Sequence, residues 1–150
     1  DHERILKQYD IAYPKGRDNS TEIRSSLSSN VMFIERYSDL LNEGGKLLTI
    51  IDESVLNTDS KAPFREYIRK HFIIKAIISL PKNAFVNADT GVKTSILYLK
   101  KRGIPEEEQP KVFMAISKNI GHNDAGKPTP KLYDLDNILE EYKKFEGGNE

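Results

Sequence analysis

The sequence contains no cysteine, which excludes a disulfide framework, a thiolate zinc site and thiol catalysis, and fits a cytoplasmic protein. No apolar run approaches the roughly 20 residues that a membrane-spanning helix needs, so a membrane is not an expected partner. Asp1-His2-Glu3-Arg4 lacks the basic-then-apolar order of a secretory leader. Histidine is scarce: His2, His71 and His122 lie far apart without metal-ligand spacing, so no metal site is expected. Neither a Gly-x-Ser-x-Gly elbow nor a Gly-Lys-Ser/Thr phosphate loop is present. The pairs Gly44-Gly45 and Gly147-Gly148 follow helical patterns rather than strands, so neither is a dinucleotide fingerprint. The first residue is Asp1 rather than methionine, within a polar segment, as expected of a piece of a longer protein.

What is present describes a globular domain. Hydrophobic residues make up 37% and charged residues 31% of 150, enough to bury a core. Net charge is zero, but unevenly built: residues 1–58 carry −3, residues 59–102 carry +7 and residues 103–150 carry −4. A basic middle third reads either as solvated helix faces and strand ends or, if other residues point there, as a phosphate-facing surface.

The pattern divides the chain into three parts. Residues 1–27 read as a polar loop segment, with Pro14, Gly16 and the run Asp18-Asn19-Ser20-Thr21. Residues 28–120 alternate helix and strand. Ser29 or Asn30 is placed to cap a helix with Val31, Ile34, Tyr37 and Leu41 on its inner face, and Gly44-Gly45 to end it. Lys46–Ile51 then reads as a buried strand, and Pro63 opens a helix with Phe64, Tyr67, Ile68, His71 and Phe72 facing inward. His71, in that helix's last turn, reads as a structural cation complementing the helix dipole. Ile73–Leu80 is almost uniformly apolar, as expected of a strand covered on both faces. Val92–Lys100 alternates and follows closely, which predicts antiparallel pairing with it. Val112–Ile116 is a further strand. Residues 121–150 hold the end of a Gly/Pro/Asn/Asp loop and a last helix capped by Asp134. The order implies an α/β doubly wound architecture with only about four strands, so its ligand-binding half is expected elsewhere.

Two places draw attention as sites. Asp52 and Glu53 sit at the C-terminal end of a parallel strand, where open α/β sheets put ligand contacts, and otherwise read as a solvated turn. The long connection Ser79–Ser95 contains Phe85 among polar residues, and loops of that length are commonly functional. Here Leu80-Pro81, Phe85 and Gly91-Val92-Lys93-Thr94-Ser95-Ile96-Leu97-Tyr98-Leu99 resemble the late motifs of the modification (methylase) subunits of type I restriction–modification systems. Phe33-Ile34-Glu35-Arg36, running through Leu40-Leu41 to Gly44-Gly45, resembles them too, as does Ile5-Leu6-Lys7-Gln8-Tyr9-Asp10, which is similar to the segment after their catalytic motif.

The resemblance implies the C-terminal half of a class I S-adenosylmethionine-dependent methyltransferase fold, Rossmann-like, with its flanking helices. Its parent would be a DNA adenine-N6 methyltransferase using S-adenosylmethionine as cofactor, with double-stranded DNA and the specificity and restriction subunits as partners. Such enzymes swing the target base out of the duplex. Phe85 matches the position of the aromatic that stacks on that base, against the plainer reading of an apolar plug at the loop's foot. Lys93 and Thr94 are implied as DNA-contacting or loop-positioning residues, against a plain strand role for Lys93. No catalytic residue is expected within the chain. The family's Asn/Asp-Pro-Pro-Phe/Tyr motif is absent and would lie upstream of Asp1, as would the cofactor-binding glycine turn, so the isolated chain is expected to be inactive. After Ile51 the family usually has a Pro- and Gly-containing turn, where this chain has Asp52-Glu53-Ser54. The alternatives are a non-catalytic protein- or DNA-interaction module derived from the same fold, or another enzyme on that scaffold.

Overall fold

A computed structural model of the chain describes residues 1–19 and 22–148; Ser20 and Thr21 of the polar run lie outside the described residues. The expected strands form one sheet from β1 (Lys46–Asp52), β2 (Phe72–Ser79), β3 (Thr94–Lys101) and β4 (Phe113–Ile116), in the order β1-β3-β2-β4. Strand β3 is antiparallel to both β1 and β2, and β2 is parallel to β4, so β1, β2 and β4 all run one way. Parallel strands need a crossover, which α3 (Ser54–Asn57) and α4 (Ala62–His71) supply between β1 and β2. Because β3 fills the slot between β1 and β2, it brings its own start to their C-terminal ends.

Strand register sorts the side chains into two faces. Leu47 lies opposite Leu99, Thr49 opposite Leu97 and Ile51 opposite Ser95, giving one face that packs on α2 (Ser29–Leu40), α3 and α4. The buried cluster there joins Val31 and Ile34 to Ile51, Val55, Phe64, Ile68, Phe72, Leu97 and Leu99. The other face is partly covered by α5 (Leu135–Gly147), whose Tyr142 meets Tyr98 and Phe113 edge-on at 5.9 and 5.4 Å. Neighbouring residues Phe72 and Ile73 are both buried, so the start of β2 is covered on both faces, as its apolar run implies. Strand β1 is not the buried strand that its apolar run suggests: it lies at a sheet edge with Leu48 (70% exposed) and Ile50 facing outward, as Met114 and Ile116 do at the other edge.

The N-terminal segment is not the loop that its polarity suggests. It holds α1 (His2–Leu6) and a 3-10 turn (Asp10–Ala12), and it buries Leu6, Ile11 and Ala12. The buried Glu35 carboxylate accepts the backbone N–H of Asp10 at 2.5 Å and of Ile11 at 3.1 Å, tying this segment to α2. Gly44-Gly45 does not end α2: the helix stops at Leu40, and Leu41 is already extended. Gly44, at φ 73°, instead turns the chain into β1, and a Cβ on Gly45 would lie 2.8 Å from the Asn42 carbonyl oxygen. The stretch expected as a loop after β4 contains a hairpin, β5 (Ile120–His122) and β6 (Pro128–Tyr133).

Asp134 also departs from its expected part. It occupies the N-cap position of α5, but its side chain makes no cap bond. Its carboxylate reaches back to accept Ser117 Oγ at 2.6 Å and the N–H groups of Lys118 at 2.7 Å and Asn119 at 3.0 Å. Burial alone would raise its carboxyl, but those three donors outweigh it and hold Asp134 below the usual carboxylate range. A depressed carboxylate stabilises the fold above its unfolded pKa and loses that contribution as pH falls through the folded one. Asp134→Ala is therefore expected to cost roughly 1–3 kcal/mol at neutral pH. Urea unfolding should show that cost shrinking as pH falls below the ordinary aspartate value of 3.8 toward the depressed folded one.

Candidate functional site

The ends of β1 and β2 and the start of β3 bring four of the sequence-derived residues together. Asp52 lies directly opposite Thr94 in the register. Its Oδ1 accepts the Ser54 N–H at 2.8 Å, an Asx-type bond that starts α3. Glu53 is the hub: Oε1 accepts Ser79 Oγ at 2.9 Å, Oε2 pairs with Lys93 Nζ at 3.0 Å, and its N–H donates to the Lys93 carbonyl at 2.9 Å. Lys93 is thus half-exposed but held, rather than a free strand cation. Thr94 Oγ1 and the wholly buried Ser95 Oγ have no hydrogen-bond partner among the described residues.

The Phe85 loop springs from this cluster. Its two ends are joined by the Leu80 N–H donating to the Thr94 carbonyl at 2.9 Å. Between them the backbone runs through successive tight turns: Ala84 N–H to Pro81 O, Val86 N–H to Asn83 O, and Ala88 N–H to Phe85 O. A single 3-10 turn, Val86–Ala88, follows Phe85, and Asp89 ends it at φ 52°, a conformation that aspartate tolerates better than most residues. Phe85 is half-buried, and its ring stacks on no other aromatic among the described residues. Beside the loop is an open recess of about 530 Å³ lined by Lys82, Asn83, Val86, Asp89, Thr90, Gly91 and Asp124. Asp124, on the β5–β6 turn, was not a sequence-derived candidate; nothing in its own surroundings sets it apart in a polar stretch.

The basic third does not form one free face. Eight of its ten cations, Lys61, Arg65, Arg69, Lys75, Lys93, Lys100, Lys101 and Arg102, are engaged in hydrogen bonds or ion pairs within the chain. Lys101, for example, donates to the carbonyls of Ser38 and Leu41 at the end of α2. Only Lys70 and Lys82 are without such partners among the described residues, and Lys82 lines the recess beside the Phe85 loop. His71 is structural, but not as a cation. It stacks on Tyr67 at 4.2 Å, and burial, helped by Lys70, lowers its pKa and favours the neutral ring.

These residues do not make a cofactor cradle for S-adenosylmethionine. No strand among the described residues leads into a glycine turn of the kind that binds its methionine part, and both carboxylates at the strand ends are already engaged. No group of three or more potential metal ligands occurs among the described residues. No helix there is long and apolar enough to cross a membrane.

Comparison with known proteins agrees with the architecture. Residues 10–150 match the family model described as N-6 DNA Methylase. A protein from Listeria monocytogenes described as a class I S-adenosylmethionine-dependent methyltransferase superimposes with TM-score 0.57 at 23% identity, covering 87% of this chain and 38% of that one. The methyltransferase subunit of a type I restriction–modification system from Streptococcus thermophilus gives 0.59 at 19% identity, covering 83% and 25%. The M protein of the type I restriction enzyme EcoKI gives 0.51 at 17% identity, covering 75% and 26%. No curated protein sequence matches the chain significantly. The chain spans between a quarter and two-fifths of the length of these structural neighbours, and the fold it shares with them is that of class I methyltransferases.

Proposed function

As the chain belongs to the N-6 DNA methylase family, we propose that it is the target-base side of a DNA adenine-N6 methyltransferase, within a type I modification subunit. The observation that carries this reading is the family match over residues 10–150. The geometry supports it: a loop bearing a half-buried aromatic stands at the C-terminal ends of parallel strands, where α/β sheets hold their ligands. In the proposed parent, a cytoplasmic protein, a methyl group passes from S-adenosylmethionine to adenine N6. The specificity subunit chooses the sequence on double-stranded DNA, and the restriction subunit cleaves it. Residues outside this chain hold the cofactor and the amino group. The outer edge of β1 supports that division, because it has no strand partner among the described residues and presents Leu48 and Ile50 to solvent. The engaged carboxylates favour the other reading, an interaction module without catalysis.

Radiolabelled methyl transfer separates the two. The complete gene product, with its specificity partner, is expected to place label on adenine N6 of unmethylated DNA. The isolated 150 residues should transfer none and show no calorimetric binding of S-adenosylmethionine at micromolar concentrations. Label absent from DNA with the complete assembly would give the lead to the interaction module. Transfer by the isolated chain would overturn the division of labour instead.

A further inference from the structure

The Phe85 loop is held to the rest of the molecule in an unusual way. Residues 81–91 form their internal bonds locally. Among the described residues they reach other elements by only two hydrogen bonds, both to the tip of the β5–β6 hairpin about forty residues away. Asn83 Nδ2 donates to Asp124 Oδ1 at 2.9 Å. Asn87 Nδ2 approaches the Gly126 carbonyl at 3.5 Å, the outer limit of hydrogen-bond length. The fit is close on the hairpin side as well: a Cβ on Gly126 would lie 1.9 Å from Asn87 Oδ1. Glycine at 126 is required by its φ of 73°, and a side chain there would push the Asn87 amide off the hairpin tip.

The hairpin is built to hold still. Its tip is closed by Asn123, whose Oδ1 accepts the N–H groups of Ala125 and Lys127, both at 3.0 Å, while its N–H donates to the Lys127 carbonyl at 3.0 Å. Its foot is clamped by Asp134, which bonds Ser117, Lys118 and Asn119 just before β5 and donates its own N–H to the Asn119 carbonyl at 2.9 Å. A loop with few bonds of its own to the core, leaning on a stiff arm, takes its position from the arm.

We infer that the β5–β6 hairpin tip is a brace that sets the position of the Phe85 loop for the reaction, with Asp124 as a positioning residue acting through Asn83. The consequence for methylation rests on the base-holding reading of Phe85; the brace itself does not. Asp124 touches no reacting atom in this account. It keeps the aromatic where an extruded base would meet it.

Hydrogen exchange on the complete gene product, followed peptide by peptide, tests the brace. Asp124→Ala and Asn83→Ala should each speed exchange of the 82–91 amides about tenfold, and the double variant no further, since both remove one bond. Gly126→Ala should speed exchange in the same peptide by dislodging Asn87, whereas strain confined to the turn would loosen 120–133 alone. Unchanged exchange of 82–91 in all three variants overturns the brace. In the same protein, Asp124→Ala should lower kcat for methylation several-fold with little change in KM for DNA. If exchange rises and Phe85→Ala lowers kcat but Asp124→Ala does not, the positioning role is wrong. If neither substitution moves kcat while exchange rises, the brace stands and the base-holding reading fails.

Discussion

Replacing Phe85 by alanine in the complete protein is expected to lower kcat/KM for adenine methylation by roughly 5- to 150-fold while the fold survives. The size follows from the energy of one base stacked on one aromatic ring, about 1–3 kcal/mol, with each 1.36 kcal/mol worth a factor of ten. Survival of the fold follows from the ring's position. Phe85 is only half-buried, on a loop, outside the cluster that packs Phe64, Phe72 and Leu99. Phe85→Tyr and Phe85→Trp keep a stacking face and should retain most activity, whereas an apolar plug would be satisfied by Phe85→Leu. The ordering Tyr and Trp above Leu above Ala therefore identifies stacking. Leu equal to Phe would reduce the residue to packing. A target placed in a mismatch should suffer less from the alanine variant, because part of the unpairing cost is already met.

The parts of this fold that the sequence made legible are those whose side-chain pattern matches one element strongly. The apolar runs of β1, β2 and β4, the alternation of β3 and the amphipathic spacing of α4 and α5 all found their places. The antiparallel pairing of β3 with β2 was legible from their succession, but its place between β1 and β2 was not. What escaped is held by tertiary contacts rather than by local preference. Helix α1 has five residues, too few to persist alone, and forms because Leu6 is buried beneath it. The β5–β6 hairpin carries Pro128, Pro130, Gly121 and Gly126, a composition that reads as loop. Two short strands tolerate prolines because each has an edge facing solvent. Glycines at 44 and 45 were legible as chain punctuation but not as to which element they served.

The site was legible in the same partial way. Asp52, Glu53, Lys93 and Thr94 are more than forty positions apart from first to last, yet the register of β1 and β3 places them at one sheet end. Sequence could nominate strand ends. It could not show that Glu53 binds both Ser79 and Lys93, since that depends on β3 lying between β1 and β2. The basic third shows the opposite error. Its charge stands out in the sequence, but most of it is taken up by carbonyls and carboxylates of the same chain. Local charge density is therefore a poor guide to a phosphate surface here, and Lys82 is the cation best placed for one.

The buried Glu35 was quoted in a motif but gave no hint of its work, and it carries the second large effect. Glu35→Ala leaves the N–H groups of Asp10 and Ile11 without their acceptor in a nearly closed environment. The expected cost is about 2–4 kcal/mol, two donors orphaned at roughly 1–3 each, less the relief of an expensive buried carboxylate. Glu35→Gln should cost less, because one amide oxygen can still accept one N–H. The pH dependence has a definite sign. Burial is the largest influence on Glu35 and raises its pKa; the N–H donors of Asp10 and Ile11 oppose it, and the nearby carboxylates of Asp10 and Asp39 reinforce it. With the folded pKa above the unfolded one, folding takes up a proton between the two values. Stability is thus gained as pH falls through the folded pKa and is fully gained below the unfolded value, near 4.5. Glu35→Gln does not titrate, so the wild-type advantage over it should widen as pH drops from neutral toward 4.5 in urea unfolding curves. An advantage that stays flat from neutral pH to 4.5 and narrows only below it would mean that the two N–H donors, not burial, set the charge of Glu35. The N-terminal segment would then be anchored by a carboxylate throughout the range from neutral pH to 4.5.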